Sequence, residues 1–424
     1  MILINRLANY IASNGLDAFK HLCYAYTHHF KYSCILDSCQ LNTGVYGGNY
    51  EFLAAFGADE IYDNYSDFQS AIRQKGQWLF GVLGYDVKNH LEKLTSQNNT
   101  LIDTSETSFF VPQLVLAIDK DGEIRELKGT ISSDFWQPII ENNALQVGPS
   151  QSPVSKEIYL DKISKIHELI REGEVYELNY CVPFTHNYTS FSPLAFHQQL
   201  IKRSPVPMAA YLRADHLHLC GASMERFLLK KGNQLVSQPI KGTIRKGNSP
   251  QEDQRLIQEL ENSEKDRAEN VMIVDLVRND LNRICKRGSV RVLELFGIYS
   301  YLQVHQMIST VEGEVASDKT LSDILEATFP MGSMTGAPKI AAMKHIEELE
   351  DFKRGWYSGA VGYITPEHDF DFNVVIRSVL CDTTKKTLNY NAGGAITIDS
   401  VAESEWKEVQ LKTKAITSIL EPAN

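Results

Sequence analysis

Apolar and polar positions alternate most regularly from about Ser155 onwards. Residues 159–173, YLDKISKIHELIREG, carry apolar side chains at helical spacing, and Gly173 provides a stop signal after the last charged residues. Residues 174–188, EVYELNYCVPFTHNY, alternate in the manner of a β-strand. The pattern therefore predicts a helix followed directly by a strand.

The sequence beyond residue 188 predicts further helices and strands. Helices are expected over 251–285 (with a break in the middle), 320–330, 337–350 and 404–421. Strands are expected over 208–223, 357–366, 371–382 and 387–399. Because strands and helices come in clusters rather than in strict alternation, the sequence predicts an α+β fold with mostly antiparallel sheets.

The first part of the chain has a different texture. Residues 1–150 mix short apolar runs with turn residues, and the loose stretch 141–155, ENNALQVGPSQSPVS, is typical of a linker. We therefore expect two regions, an N-terminal lobe over 1–150 and a second region over 151–424.

Composition and charge narrow the classes of function. The chain has 424 residues, of which 43% are hydrophobic and 22% charged, an ordinary balance for a soluble globular protein. Its formal net charge of -11 argues against a nucleic-acid partner, although local cations can still bind small anions. No apolar run approaches the roughly 20 residues that span a bilayer, so no membrane association is expected.

Cysteine usage and the N-terminal segment indicate a compartment. The seven cysteines are scattered and form no C-x-x-C pair, which favours a reducing environment over a disulfide framework or a zinc site. The first residues, MILINRLANYIASNGLDAF, lack the pattern of a signal peptide. We therefore expect a cytoplasmic protein.

Two pairs of acidic residues have the spacing of one helix face. Asp266 and Glu269 are three residues apart, as are Glu405 and Glu408, and Lys412 lies four residues beyond Glu408. If the two pairs met, their carboxylate oxygens would suit Mg²⁺. The alternative is a pair of solvated helix faces, and spacing alone favours that alternative.

Four other features have both a chemical and a structural interpretation. Residues 329–339, FPMGSMTGAPK, lack the Gly-Lys-Ser/Thr ending of a phosphate loop, and residues 390–394, YNAGG, allow either close approach of a ligand or a bulge. Arg377, in an apolar strand, requires a partner, which is either a bound carboxylate or a structural ion pair. Lys241, in PIKGT, is either a surface lysine or a nucleophile whose pKa burial has lowered.

Taken together, an ordered series of segments resembles one family. The segments are YELNY (176–180), SMERF (223–227), QPIKGT (238–243), KDRAENVMIVDLVRNDL (265–281), VHQMIST (304–310), FPMGSMTGAPKIAAM (329–343), RGWYSGAVGYI (354–364), DFNVVIRS (371–378), YNAGGAIT (390–397) and SEWKEVQLKTKA (404–415). They resemble the chorismate-utilising enzymes, which include anthranilate, aminodeoxychorismate, isochorismate and salicylate synthases. The first lobe matches more weakly, through CILDS (34–38) and FGVLGYD (80–86).

The resemblance implies a fold and a metal site. The family fold has large, mostly antiparallel sheets packed face to face with helices outside, and residues 151–424 would form its chorismate-binding region. Glu269 and Glu408 match the family's Mg²⁺ ligands, with Asp266 and Glu405 as outer or water-mediated partners.

The same resemblance implies how the substrate is held. Lys412 would lie near the metal-bound ring carboxylate, while Arg377 and Tyr357 would hold the enolpyruvyl carboxylate. Glu225 matches the general acid that helps the C4 hydroxyl leave, a role that requires a protonated carboxyl group. The remaining residues expected to line the pocket are His305, Thr335, Gly393, Gly394 and Thr243.

The subgroup depends on Lys241. Anthranilate, salicylate and isochorismate synthases usually carry alanine there, whereas lysine resembles aminodeoxychorismate synthase component I. The implied mechanism is attack of the neutral lysine amine on ring carbon C2, followed by addition of ammonia at C4. Anthranilate synthase component I, isochorismate or salicylate synthase, and a catalytically silent binding subunit remain the alternatives.

Three further expectations complete the sequence-based hypothesis. Glu177 occupies a position where water-using members carry a lysine base and ammonia-using members more often carry glutamine, so it departs from the pattern. The chain has no Gly-x-Cys-x-Gly elbow, which implies a separate glutaminase subunit that supplies ammonia for 4-aminobenzoate and folate synthesis. Ser38, in CILDS, matches a segment that shapes a tryptophan effector pocket in relatives.

Overall fold

The computed structural model describes residues 2–41, 44–74, 76–137, 139 and 145–421. Within these ranges the helices are α1 Ile2–Tyr26, α2 Tyr65–Ala71, α3 Lys88–Leu91, α4 Lys156–Glu172, α5 Pro193–Arg203, α6 Pro250–Glu261, α7 Glu264–Asn282, α8 Leu321–Thr328, α9 Lys339–Leu349 and α10 Ala402–Leu420. None of these described helices is long and apolar enough to cross a membrane.

The strands occur in groups between these helices. They are β1 Tyr32–Asp37, β2 Tyr50–Phe56, β3 Glu60–Tyr62, β4 Leu79–Leu83, β5 Asn99–Thr100, β6 Thr107–Val111, β7 Leu114–Asp119, β8 Ile124–Lys128, β9 Gln146–Val147, β10 Glu177–Ser190, β11 Met208–Ala214, β12 Leu217–Ser223, β13 Arg226–Lys231, β14 Gln234–Gln238, β15 Ile240–Arg245, β16 Arg291–Ser300, β17 Val304–Glu314, β18 Gly336–Ala337, β19 Phe352–Lys353, β20 Ala360–Ile364, β21 Phe370–Val374, β22 Ser378–Asp382 and β23 Thr387–Ile396.

Most strands belong to two large sheets. The first sheet has the order β18-β10-β23-β22-β12-β11-β1-β2-β7-β8, with β9 alongside β10. The second sheet has the order β15-β17-β14-β13-β21-β20-β4-β6-β3, with β16 alongside β17. Neighbouring strands in both sheets are antiparallel, for example β10 with β23 and β15 with β17. The predicted α+β class with antiparallel sheets is confirmed.

The two sheets pack face to face around a shared apolar core. Leu53 and Leu212 of the first sheet and Phe80 and Val361 of the second are all buried in that core. Helices cover the outer faces: α1, α5 and α10 pack on the first sheet, and α2, α7 and α8 on the second. This arrangement confirms the face-to-face sheets with external helices that the family resemblance implied.

Both sheets contain strands from either side of residue 150. β1 pairs with β11 in the first sheet, and β4 pairs with β20 in the second. In the predicted linker, residues 141–144 lie outside the described residues, while β9 and Gln151 pair with strand β10. The boundary at residue 150 stays a prediction, because the sheets are continuous across it.

The helices and strands predicted beyond Ser155 mostly match those in the structure. α4 begins after Ser155, whose side chain accepts from the Ile158 amide, and ends at Gly173 in the left-handed conformation. The predicted helix over 251–285 is broken between α6 and α7, where Ser263 caps the second helix. The predicted strand over 371–382 is two strands, because the backbone turns at Arg377, whose φ is 52°.

Candidate functional site

The candidate site lies where corresponding edges of the two sheets meet helices α7 and α10. Strand β10 begins at Glu177 near the edge of the first sheet, and edge strand β15 of the second sheet carries Lys241. The Lys241 Nζ atom donates to Glu177 Oε1 at 2.6 Å, so an ion pair joins the two sheets at this edge. Both side chains are buried, with 9% of Lys241 and 1% of Glu177 exposed.

Lys241 is surrounded by acidic side chains. Burial acts to lower its pKa, but the carboxylates of Glu177, Glu269 and Glu225 outweigh burial and raise the pKa above its ordinary value. Lys241 is therefore an ammonium ion in the free protein. This differs from the expectation of a lysine on a tight loop with a lowered pKa, because the sequence did not indicate that three carboxylates gather around it.

Glu225 lies between strands β12 and β13 and is 5% exposed. Burial raises the pKa of its carboxyl group to about 7. A carboxyl group with such a pKa is about half protonated at neutral pH and largely protonated below it. Its chemistry therefore suits proton donation to a leaving group.

A second group of charges lies between α7 and α10. Lys265 Nζ lies 3.2 Å from Glu405 Oε1 and 3.7 Å from Glu269 Oε1, so it bridges the two acidic pairs recognised in the sequence. Burial raises the pKa of Glu269 to about 7. Glu405 is 3% exposed, which shows that this carboxylate is not part of a solvated helix face.

Gly394 of β23 lies beneath this group. A methyl group added there would lie 3.6 Å from both Glu405 Oε2 and Glu408 Oε1, and 3.5 Å from Lys412 Nζ. Lys412 Nζ pairs with Glu408 at 2.6 Å and donates to the Gly393 carbonyl at 2.7 Å. The Lys412 ammonium holds the pKa of Glu408 below its ordinary value.

Arg377 and Tyr357 contact the two elements that flank β23, helix α10 and strand β10. Arg377 Nη1 donates to the Lys412 carbonyl at 3.1 Å, which ties the turn after β21 to helix α10. Tyr357 is 8% exposed, and its hydroxyl lies 3.6 Å from Cys181 Sγ on β10. No described carboxylate pairs with the Arg377 guanidinium, so the structural ion pair considered from the sequence is not found among the described residues.

Comparison with known proteins identifies the family. The family described as chorismate binding enzyme matches residues 40–418. The chain belongs to this family. The ten segments from YELNY (176–180) to SEWKEVQLKTKA (404–415) lie within the matched range, together with the charged site described above, whereas CILDS (34–38) precedes it.

Individual relatives agree with this assignment. The chain is 37% identical over 364 residues to an aminodeoxychorismate synthase of Arabidopsis thaliana, covering 79% of this chain and 39% of that protein. It is 31% identical over 382 residues to aminodeoxychorismate synthase component 1 of Bacillus subtilis, covering 85% and 79%. The chain thus spans well under half of the plant relative. The solved anthranilate synthase component I of Streptococcus pneumoniae superposes with a TM-score of 0.73 at 27% identity, covering 83% and 85%.

Several predicted pocket residues have other partners in this chorismate binding enzyme. The His305 ring is fully buried and lies 2.8 Å from Asp253 Oδ1 and 2.7 Å from Ser300 Oγ. The Thr335 hydroxyl donates to backbone carbonyls of its own turn. Thr243 is exposed on β15. Their predicted contacts with substrate stay predictions.

Asp266 also has a structural contact. Its amide donates to Ser263 at the start of α7, and its side chain packs against Gly242, where an added methyl group would lie 3.1 Å from Asp266 Cβ. Gly242 has a φ of 92°, a conformation that favours glycine. Asp266 therefore holds the first turn of α7 against strand β15, which carries Lys241. Its predicted role as an outer partner of a metal stays a prediction.

The carboxylates of the site suit a hard divalent cation. Among the described residues no three potential ligands already form a ready-made metal cluster. Glu269 Oε1 is nevertheless buried without a hydrogen-bond partner, and carboxylate oxygens are the ligands that Mg²⁺ prefers. The donor set on α7 and α10 therefore fits such an ion.

The predicted effector residue Ser38 lines a separate cavity of about 50 Å³ between the two sheets. Its hydroxyl donates to Glu51, which in turn pairs with Lys120 at 2.6 Å. Arg226 and Asp371 form a buried ion pair in the wall of the same cavity, with Arg226 Nε 2.9 Å from Asp371 Oδ1. Tryptophan binding there stays a prediction.

Two functional features were missed from the sequence. Lys265 lies four residues before Glu269 on α7, and that spacing alone would have indicated the contact. Arg354 and Glu350 form an almost fully buried pair at 2.6 Å, and Glu350 also accepts from the Cys181 amide. This pair supports the part of β10 behind Tyr357. Arg354 begins the recognised segment 354–364, but nothing in that segment indicates a buried ion pair.

Proposed function

We propose that the protein is component I of an aminodeoxychorismate synthase, which converts chorismate and ammonia to 4-amino-4-deoxychorismate. The observation that carries the proposal is the buried Lys241 on β15, beside the acid Glu225 and the acidic cluster of α7 and α10. A lysine at this point supplies a nucleophile, which alanine in the other branches of the family does not.

The substrate is a dianion, and its two carboxylates have separate partners in this proposal. Arg377 and Tyr357 bind the enolpyruvyl carboxylate, because the guanidinium has no carboxylate partner among the described residues. Lys412 lies near the ring carboxylate. His305, Thr335, Thr243 and the backbone of Gly393 and Gly394 line the pocket.

Mg²⁺ is the proposed cofactor. Glu269 and Glu408 are its proposed ligands, with Asp266 and Glu405 as outer partners, and the ion would supply charge neutralisation for the ring carboxylate. Lys265 bridges Glu269 and Glu405 in this structure and must give way as the acidic residues take up their ligand roles.

The reaction divides one displacement into two. The neutral Lys241 amine forms a bond to ring carbon C2 as the C4–oxygen bond breaks, and Glu225 donates its proton so that water leaves. Ammonia then bonds to C4 while the bond from C2 to Lys241 breaks. The product carries the new ammonium group, and the lysine leaves as a neutral amine.

A separate glutaminase subunit is the proposed source of ammonia. The Bacillus subtilis relative is named a component 1, which supports a two-component arrangement. The product would feed synthesis of 4-aminobenzoate and folate.

Anthranilate synthase component I is the second candidate, because the Streptococcus pneumoniae protein of that name shares the fold. Incubation with chorismate, Mg²⁺ and an ammonium salt separates the two functions. We expect aminodeoxychorismate, which becomes aromatic only after a lyase is added. Direct appearance of fluorescent anthranilate would contradict the proposal, and isochorismate or salicylate formed without ammonia would indicate the remaining branch.

A further inference from the structure

The Lys241–Glu177 pair poses a problem for a lysine nucleophile. An ammonium ion has no lone pair, so Lys241 must lose a proton before it can attack carbon. Among the described residues, Glu177 Oε1 is the acceptor hydrogen-bonded to Lys241 Nζ, at 2.6 Å. The two side chains are 1% and 9% exposed, so bulk water has little access to the proton that they share.

The other charged groups facing Lys241 have competing tasks. Glu225, between β12 and β13, must keep its own proton for the leaving hydroxyl. Glu269 on α7 is a proposed metal ligand, and Glu408 on α10 pairs with Lys412 at 2.6 Å. Glu177 on β10 is the neighbouring carboxylate that remains for proton exchange.

The second oxygen of Glu177 has no competing contact. Glu177 Oε2 is buried and has no hydrogen-bond partner among the described residues. No donor therefore has to be displaced there when the carboxylate takes up a proton, while Oε1 already lies within hydrogen-bond distance of Lys241 Nζ.

We propose that Glu177 is the proton acceptor that converts the Lys241 ammonium ion to the neutral amine and returns the proton after each turnover. The inference rests on the proposed function. The N–H bond of Lys241 breaks and an O–H bond forms on Glu177 before the amine bonds to C2. When the lysine leaves C2 as an amine, Glu177 gives the proton back, and solvent reprotonates Glu225, so one ammonia and one proton are consumed per water released.

The first test uses the free protein. Brief acetylation with acetic anhydride over a pH series, followed by peptide mass spectrometry, reports how much Lys241 is neutral at each pH. We expect Glu177→Gln to lower the pH at which Lys241 becomes reactive by at least about one unit, because the anionic partner is removed. An unchanged reactivity curve would overturn the inference.

The second test measures the Lys241–substrate adduct by intact-protein mass spectrometry, with chorismate and Mg²⁺ but without ammonia. In the wild type the proton moves within the pair, whereas in Glu177→Gln it must leave for water. The rate of adduct formation in Glu177→Gln divided by that in the wild type should therefore increase about tenfold for each unit of increase in pH, as long as the pH is below the lysine pKa. Taking this quotient removes the contribution of Glu225, which is common to both proteins.

The outcomes separate this inference from the proposed function. An adduct in the wild type with a constant quotient would overturn the role of Glu177 and leave the lysine nucleophile standing. No adduct in the wild type would overturn both. If circular dichroism shows that Glu177→Gln does not fold, Glu177→Asp takes its place, because it retains a base. Its pH profile of adduct formation should have the wild-type shape at a lower rate. A tenfold increase of its rate relative to the wild type for each unit of increase in pH would overturn the inference.

Asp37→Asn is the matched control. Asp37 pairs with Lys20 at 2.7 Å, and both side chains are largely buried, at 6% and 12% exposure. This pair belongs to β1 and α1, away from the site. We expect the control to leave Lys241 acetylation and adduct formation unchanged, and an equal shift in the control would overturn the inference by showing a general effect of removing a buried carboxylate.

Discussion

The acidic site at the sheet edges and the Ser38 cavity between the two sheets differ in how their buried charged groups are paired. In the Ser38 cavity, Arg226 makes two bonds to Asp371, and Glu51 is held by Lys120 and Ser38. In the acidic site, Glu177 Oε2 and Glu269 Oε1 are buried without hydrogen-bond partners. Since a buried oxygen without a hydrogen bond costs free energy, the comparison indicates that the contacts of the first region stabilise the fold, whereas the second region keeps two acceptor oxygens open at a cost in stability.

The largest effect that sharpens this comparison is expected from Lys241→Ala. Removing the proposed nucleophile should reduce ammonia-dependent turnover of chorismate by about 10³-fold or more. Aminodeoxychorismate formation, coupled to an added lyase, measures the loss. Lys20→Ala removes another buried lysine paired with a carboxylate and should retain most activity, while full activity in Lys241→Ala would contradict its role.

Asp371→Asn tests the other side of the comparison. It leaves the buried Arg226 without its charged partner, which should lower the free energy of unfolding by about 3 kcal/mol. Denaturant unfolding measures the change. Asp119→Asn weakens the surface pair with Arg125, whose side chain is 52% exposed, and should cost much less because solvent screens an exposed pair. Equal losses would show that the cavity pair has no special structural role.

Glu269→Gln is expected to weaken metal binding. The variant should need at least about tenfold more Mg²⁺ for half-maximal turnover, since a ligand charge is lost. A Mg²⁺ titration of the initial rate measures this. Glu403→Gln changes a half-exposed carboxylate on α10 that pairs with Lys156 and serves as the control. Superimposable titrations for the wild type and Glu269→Gln would refute the metal assignment.

The smallest effect concerns pH. Because burial raises the pKa of Glu225 to about 7, the proton-donating form is present below that pH and is lost above it. Turnover limited by this acid should fall about tenfold per unit at higher pH. The same direction applies to stability: the contribution of this group to the free energy of unfolding falls as the pH rises from its ordinary pKa of 4.5 to about 7, because in that range the unfolded chain ionises while the buried carboxyl stays protonated. A pH–rate profile of the adduct-forming step without a bend near neutral pH would argue against Glu225 as the acid.

Much of the site followed from local sequence patterns. The spacing of Glu405 and Glu408 placed both carboxylates on one side of α10, and Gly173 marked the end of α4, because both signals operate within a few residues. The ordered motifs then indicated that the acidic pairs of α7 and α10 belong together. That second step depended on family resemblance, because helical spacing alone favoured solvated faces.

The remaining features depend on contacts between distant parts of the chain. Glu177 and Lys241 belong to different sheets, so no periodicity relates them, and the sequence could not show that a carboxylate would hold the lysine charged. Helix α1 was missed for a local reason: Asn14-Gly15 resembles a turn, and the helix bends there with a φ of 80° at Gly15. Tertiary packing of Phe19 and Leu22 maintains the helix beyond that point.

The strand pairings across residue 150 have a consequence for how the chain is made. The β4 segment is synthesised early, but its partner β20 is synthesised only near the end. The β1 segment is likewise synthesised long before its partner β11. Until then both nascent sheets carry open edges that can pair with other chains. Folding should therefore be completed late in synthesis. Separate expression of residues 151–424 should yield a fragment that aggregates rather than an active one.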